Sequence, residues 1–306
     1  MGLCDEVREH CARVAARARS VQIDLDALGV LEPPKAPEPS RGCSSEPLAI
    51  SLPALDPERH YLEGTPADVA TYLLTLDTIN FGSGWFPTLR KRRGCSGYFT
   101  IAWALADRFR AEGPWTNAQL RATRADALAD VLGQPRDHEL IGLYAQALRA
   151  LGTFLDEGNA LDLVHQAGGS AQRLAEALAG GMAMFADRGF YKRAQIVPAD
   201  LALAGVASFA DLDALTIFAD NLVPHVLHCD GVLVYDERLA AHIDAQRPLR
   251  LGTQEHEIRA CAVHACELLA QRVGVAPRIL DHWLWNRGQS PEIKAQPRHR
   301  CRCVYY

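Results

Sequence analysis

Asp220 is where a chemical reading of this sequence starts. It interrupts an apolar run, ALTIFADNLVPHVL at 214–227, with Asn221 beside it and Pro224 four residues on. Proline has no N–H to donate and its ring crowds the carbonyl four residues back, so a helix through this run must kink or restart near 220–221. On a helical wheel Leu215, Phe218, Ala219, Leu222 and Val226 share a face, and Asp220 flanks it. Asn221 is then a candidate cap for the second half, with Pro224 tolerated in its first turn. A carboxylate at such a break suits two roles, a structural cap or an acid facing a cavity. Phe-Ala-Asp also occurs at 185–187 and 209–211. There Asp187 precedes Arg188-Gly189 in a turn-like setting, and Asp211 reads as the cap opening a helix.

Three further constellations carry chemistry. In LDTINFGSGWFP (76–87) a helix ends at Asn80 and Phe81. Gly82 and Gly84 then allow a sharp turn or close approach to a ligand. In RGFYKRAQIVPADL (188–201) Lys192 and Arg193 stand between glycine and proline punctuation, which reads as a loop. Such a pair can hold a phosphate by charge-assisted hydrogen bonds, or simply be solvated. In VAPRILDHWLWNRG (275–288) Pro277 suits a helix start and Gly288 a stop. There Asp281 and Trp285 are four apart, as are His282 and Asn286, so carboxylate, indole, imidazole and amide share one side of a helix. Together they can bind a heteroaromatic ring by edge hydrogen bonds and stacking; a wet amphipathic face is the bland reading. His225, His228 and Cys229, and His299 with Cys301 and Cys303, have no zinc-like spacing, so no metal site is expected.

The elements that must position these residues are mainly helical. Thr65 and Pro66 open a helix over 65–81, and helical periodicity covers roughly 98–112, 116–133, 137–154, 170–185, 211–228, 236–246, 254–273 and 277–286. Strand-like pieces are confined to GVLVY at 231–235 and CRCVYY at 301–306. A helix over 3–20 precedes a stretch, 31–57, with seven prolines. That composition predicts an extended arm, and its LAISLPAL patch predicts that the arm packs on the body. The expected organisation is an N-terminal helix and arm over 1–57, then one helical domain over 58–306.

Composition narrows the function. With 306 residues, 48% of them hydrophobic, the chain can bury a substantial core. A net charge of −5 argues against an extended nucleic-acid partner. Nine cysteines without a CxxC pair read as reduced thiols of a cytoplasmic protein. No apolar run approaches the ~20 residues of a membrane span, and the N-terminal segment lacks the apolar core of a secretory signal.

Taken in order, FYKRAQI (190–196), IFADNLVPHVL (217–227), EIRACAVHACELL (257–269), LDHWLW (280–285) and PRHRCRCVYY (297–306), with DTINFGSGWFP before them, resemble the queuosine salvage family. The resemblance spans roughly residues 55–306. It implies a helical fold distantly similar to DNA glycosylases and hydrolysis of the N-glycosidic bond of queuosine 5′-monophosphate, with no metal or organic cofactor. By this resemblance Asp220 is the catalytic aspartate and Phe218 contacts the base. Asp281 and His282 match an Asp-Tyr pair, with His in place of Tyr, and Asn286 stands where relatives often carry Asp. His60 matches a base- or ribose-contacting histidine, and Asn80 lies in the asparagine-phenylalanine signature. Phe218 with Trp285 or Trp85 would stack on the ring, and Lys192 and Arg193 are the candidates for the 5′-phosphate. The competing readings are a DNA or RNA base glycosylase and a non-catalytic binder of deazapurine nucleotides. Oligomeric state is not legible.

Overall fold

A computed structural model of the chain describes residues 2–32 and 54–306. The proline-rich stretch from 33 to 53, with the LAISLPAL patch up to residue 53, lies outside the described residues. The chain divides into two compact units, Met1–Ala54 with Asp213–Cys301, and Leu55–Leu212 with Arg302–Tyr306. The chain passes between them at 54/55, 212/213 and 301/302. Both units are mainly α-helical, as the periodicity predicts. Among the described residues no helix is long and apolar enough to cross a membrane.

The first unit opens with α1 (Leu3–Ala15), β1 (Val21–Ile23) and α2 (Leu25–Val30). Helix α1 buries Leu3, Cys4, Val7 and Cys11, and it stops at residue 15 rather than 20.

The second unit holds α3 (Pro66–Thr78), α4 (Gly97–Glu112), α5 (Asn117–Arg121), α6 (Ala125–Leu132), α7 (Glu139–Leu155), α8 (Ala160–Gln166), α9 (Ala171–Gly181) and α10 (Lys192–Leu203). Thr65 and Asp68 form a reciprocal capping box at the start of α3, and Pro66 takes the first turn. The pattern read as one helix over 116–133 is two, because the chain turns between Arg121 and Ala125. Around α3, Tyr72, Leu73, Leu105, Phe109, Tyr144 and Leu148 form the core.

The chain then returns to the first unit with α11 (Val223–Cys229), β2 (Leu233–Tyr235), α12 (Glu237–Asp244), α13 (Thr253–Val273), α14 (Pro277–Arg287) and α15 (Pro291–Ala295). Strands β1 and β2 pair antiparallel, Val21 opposite Tyr235 and Ile23 opposite Leu233. Helix α13 is the axis of this unit: α1, β1, α11 and α14 all pack on it. GVLVY does yield a strand. Of the C-terminal CRCVYY only an isolated parallel bridge forms, Cys301 to Leu249.

Candidate functional site

The segment before α11 is not a helix. Residues 215–219 have no helical structure, and helix begins only at Val223, with Pro224 in its first turn. Leu215, Thr216 and Ile217 are all buried, and from Ile217 on burial alternates: Ile217 and Ala219 are buried, while Phe218 and Asp220 are both partly accessible. That is the period of non-helical chain, in which alternate side chains face alternate sides. A helical wheel would separate these two by about 200°. Thr216, Ile217 and Phe218 are residues that favour extended backbone, which the helical reading passed over.

A non-helical segment with no neighbouring strand must satisfy its polar backbone by other means. Two side chains do so here. Asp281 on α14 accepts the Phe218 N–H at 2.8 Å. Arg259 on α13 donates Nε–H to the Ala219 carbonyl at 2.9 Å. Arg259 is fully buried, with Glu255 one turn earlier at 3.4 Å as its counter-ion. The Arg259–Glu255 pair thus sets the backbone immediately before Asp220, a positioning role that the sequence reading missed. Its signal was an acid and a base four apart, Glu255 and Arg259, on one face of a helix.

Asp220 completes the turn itself. Its Oδ1 accepts the N–H of Leu222 at 2.6 Å and of Val223 at 3.3 Å, which occupies one of the orphan donors at the start of α11. Asn221, expected as the cap, instead turns its amide to the His299 carbonyl at 3.3 Å and is buried. Among the described residues Asp220 Oδ2 accepts no hydrogen bond. One oxygen therefore holds the carboxylate in place and the other stays available. The two roles left open by the sequence, cap and reactive acid, are compatible in one side chain.

Leu222 packs where a Cβ on Gly288 would come within 2.8 Å of its side chain. Gly288 keeps right-handed backbone at φ −62, so it ends α14 by admitting Leu222 rather than by a left-handed turn. On α14, Asp281 is buried, Trp285 is partly accessible, and the Asn286 amide meets His282 Nε2 at 2.9 Å. Burial lowers the His282 pKa, which favours the neutral ring. The four expected residues of α14 thus sit on consecutive turns, and Asp281 is tied directly to the segment carrying Phe218 and Asp220.

The second unit holds the remaining expected residues. The segment read as a loop around Lys192 and Arg193 is helix α10, with Pro198 inside it. The basic pair is therefore buried rather than solvated. Arg193 donates to the backbone carbonyls of Thr78, Met184 and Val304, and its guanidinium lies 4.7 Å from the ring centres of both Phe81 and Phe185. Its expected phosphate contact does not fit this placement, because its terminal nitrogens are committed to carbonyls. Lys192 Nζ lies 3.4 Å from the Asn80 carbonyl, and its charge stabilises the carboxylates of Asp77 and Asp200. Burial nonetheless pushes Asp200 up to about 7, and raises Asp77 well above the ordinary carboxylate range with help from Asp200. The Asn80 side chain reaches Asp77 Oδ1 at 3.4 Å.

His60 is buried with both ring nitrogens engaged, Nδ1 with the Asp56 carbonyl at 2.9 Å and Nε2 with the Tyr98 hydroxyl at 3.0 Å. A carbonyl only accepts, so Nδ1 carries the proton and Nε2 accepts from Tyr98. Burial, the largest influence on its pKa, keeps the ring neutral. Trp85, the alternative stacking residue, is buried and donates Nε1–H to Glu139 at 2.7 Å, which leaves Trp285. The other Phe-Ala-Asp copies are structural: Asp187 lies in a turn, and Asp211 accepts from Ser170 and the Ala171 N–H, both at 2.6 Å, so it caps α9 rather than a helix of its own.

A family model described as queuosine salvage protein matches residues 60–306. The chain is 31% identical to the queuosine 5′-phosphate N-glycosylase/hydrolase of Sphaerobacter thermophilus, over 96% of this chain and 95% of that protein. It is 30% identical to the protein of the same name from Bos taurus, over 79% and 83% of the two chains, and 30% identical to that of Dictyostelium discoideum, over 78% of each. The chain belongs to the queuosine salvage protein family.

Proposed function

We propose that this protein is a cytoplasmic hydrolase of the N-glycosidic bond of queuosine 5′-monophosphate. Water adds across the bond, its hydroxyl to C1′ and its proton to the base nitrogen, releasing queuine and ribose 5-phosphate for salvage of the base. The observation that carries this reading is the shared exposure of Phe218 and Asp220, alternating with buried neighbours in a non-helical segment, with one Asp220 oxygen anchored and the other open. Breaking the C–N bond builds positive charge at C1′, and a fixed carboxylate beside it stabilises that charge or attacks the carbon. Phe218, adjacent to Asp220 on the same side, offers a ring face to the base, and Trp285 offers another. Asp281 presents acceptors to the N1–H and 2-amino edge of a guanine-like base, while its Oδ1 holds the Phe218 amide. His282 and Asn286, as a hydrogen-bonded pair, extend that polar edge.

Asp220→Asn tests the assignment cleanly, because an amide oxygen still accepts the Leu222 and Val223 N–H groups while the charge is lost. With queuosine 5′-monophosphate as substrate and chromatography for free base, kcat is expected to fall on the order of a thousandfold with nucleotide binding retained. Turnover near that of the unmodified protein would remove Asp220 as the catalytic group. Release of base from DNA or RNA in place of the mononucleotide would favour a nucleic-acid glycosylase.

A further inference from the structure

With Arg193 and Lys192 engaged inside the second unit, the 5′-phosphate of the proposed substrate needs another cation. The C-terminal segment of the first unit supplies one. Residues 298–301 run extended and alternate in exposure: His299 and Cys301 are buried, Arg298 and Arg300 partly accessible on the other side. The segment is pinned at two points. The Asn221 amide reaches the His299 carbonyl at 3.3 Å, and Leu249 N–H donates to the Arg300 carbonyl at 2.8 Å. Asn221 adjoins Asp220 and His299 adjoins Arg298, so each charged residue lies one position from the same hydrogen bond.

Arg298 differs from the other well-covered arginines of this unit. Arg259 is paired with Glu255, Arg287 with Asp230, Arg278 with Asp213 and Arg8 with Glu267. Among the described residues Arg298 forms neither an ion pair nor a hydrogen bond. None of its guanidinium nitrogens is among the sealed, unpartnered atoms, so they open onto accessible space. Its charge is felt by Asp220, yet the two make no direct ion pair. Arg300, two residues on and on the same side, opposes it. A bound dianion would relieve the repulsion between these two like charges. Standing off from Asp220 by more than an ion-pair distance leaves room for the sugar that joins a phosphate to C1′.

We propose that Arg298, supported by Arg300, binds the 5′-phosphate of the substrate and so sets the preference for nucleotide over nucleoside. The assignment rests on the hydrolase reading above and can fail separately from it. The test compares the unmodified protein with Arg298→Ala and Arg298→Lys on queuosine 5′-monophosphate and on queuosine, with inorganic phosphate as competitor. For Arg298→Ala, kcat/KM on the nucleotide is expected to fall about 30-fold, chiefly through KM, and at least tenfold more than on the nucleoside. Arg298→Lys, which keeps the charge without the fork, should recover part of the loss. Inorganic phosphate should inhibit Arg298→Ala about tenfold more weakly. Lys192→Ala, by contrast, should lower both substrates alike.

Equal losses on nucleotide and nucleoside, with phosphate inhibition unchanged, would overturn the role of Arg298 while leaving the hydrolase intact. Should the unmodified protein release base from neither substrate, the hydrolase reading falls. Direct titration with inorganic phosphate then decides the anion site by itself: heat of binding lost in Arg298→Ala supports it, and equal binding refutes it.

Discussion

Each unit buries an arginine completely, and the two solve the same electrostatic problem differently. Arg193, in the second unit, has its charge balanced by backbone carbonyl dipoles and the faces of two phenylalanine rings. Burial still lowers its pKa to about 10, against an opposing pull from Asp187, so it remains charged at neutral pH. Arg259, in the first unit, has a carboxylate partner on its own helix and spends one further N–H on the Ala219 carbonyl. The first arrangement gathers loops and chain ends around a cation. The second delivers a donor to the backbone position before Asp220. A buried charge is thus a framework bolt in one unit and a positioning device in the other.

This contrast can be broken by substitution. Arg193→Leu strands several buried carbonyls at once and leaves no second side chain whose removal would help. It should cost about 4 kcal/mol of stability, read from urea denaturation, with m unchanged. Arg259→Met should cost about 3 kcal/mol, because Glu255 is left charged and buried, and should also lower kcat by displacing Asp220. Adding Glu255→Met should return much of the stability but none of the kcat. Recovery of both would show that the pair acts only on folding and that Asp220 is held by its own turn.

His299 sharpens the same point at smaller scale. It is buried with neither ring nitrogen bonded among the described residues, and desolvation, its largest influence, pushes its pKa down to about 3. The unfolded chain, with an ordinary pKa near 6.5, therefore binds a proton that the folded chain refuses. Stability contributed by the neutral ring is full above ~6.5 and is lost as pH falls toward 3. At pH 5 the loss is about 2 kcal/mol. His299→Phe should flatten the fall of Tm between pH 7 and pH 5; an unchanged slope would assign the acid sensitivity elsewhere.

Much of the fold was legible from the chain alone. Thr65-Pro66 and Pro277 announce helices through local chemistry, and α7 and α13 follow from their periodicity. The readings that failed are those decided by distant partners. Residues 215–219 look helical, yet they are not, because Asp281 and Arg259, 63 and 40 residues away from the groups they bind, take the hydrogen bonds of the Phe218 N–H and the Ala219 carbonyl. Helix α10 looks like a loop because Pro198 and flanking glycines punctuate it. Yet Arg193 fixes it to carbonyls more than 100 residues away in sequence, at Thr78 and Val304. That Asp220 stands at a break in an apolar run was readable; that one of its oxygens takes the next two free amides was not, since that depends on side-chain placement.

Residues 302–306 carry one more implication, for the order of synthesis. They complete the second unit: Gly82 N–H donates to the Tyr306 carbonyl at 2.8 Å, and Arg193 to that of Val304 at 2.7 Å. Yet they are translated only after all of 213–301, a segment belonging to the first unit. During elongation the second unit therefore waits, nearly whole, with a buried cation and a glycine amide short of their acceptors. Its closure is a late, long-range event that follows the synthesis of 213–301, and chaperone demand should concentrate in that interval.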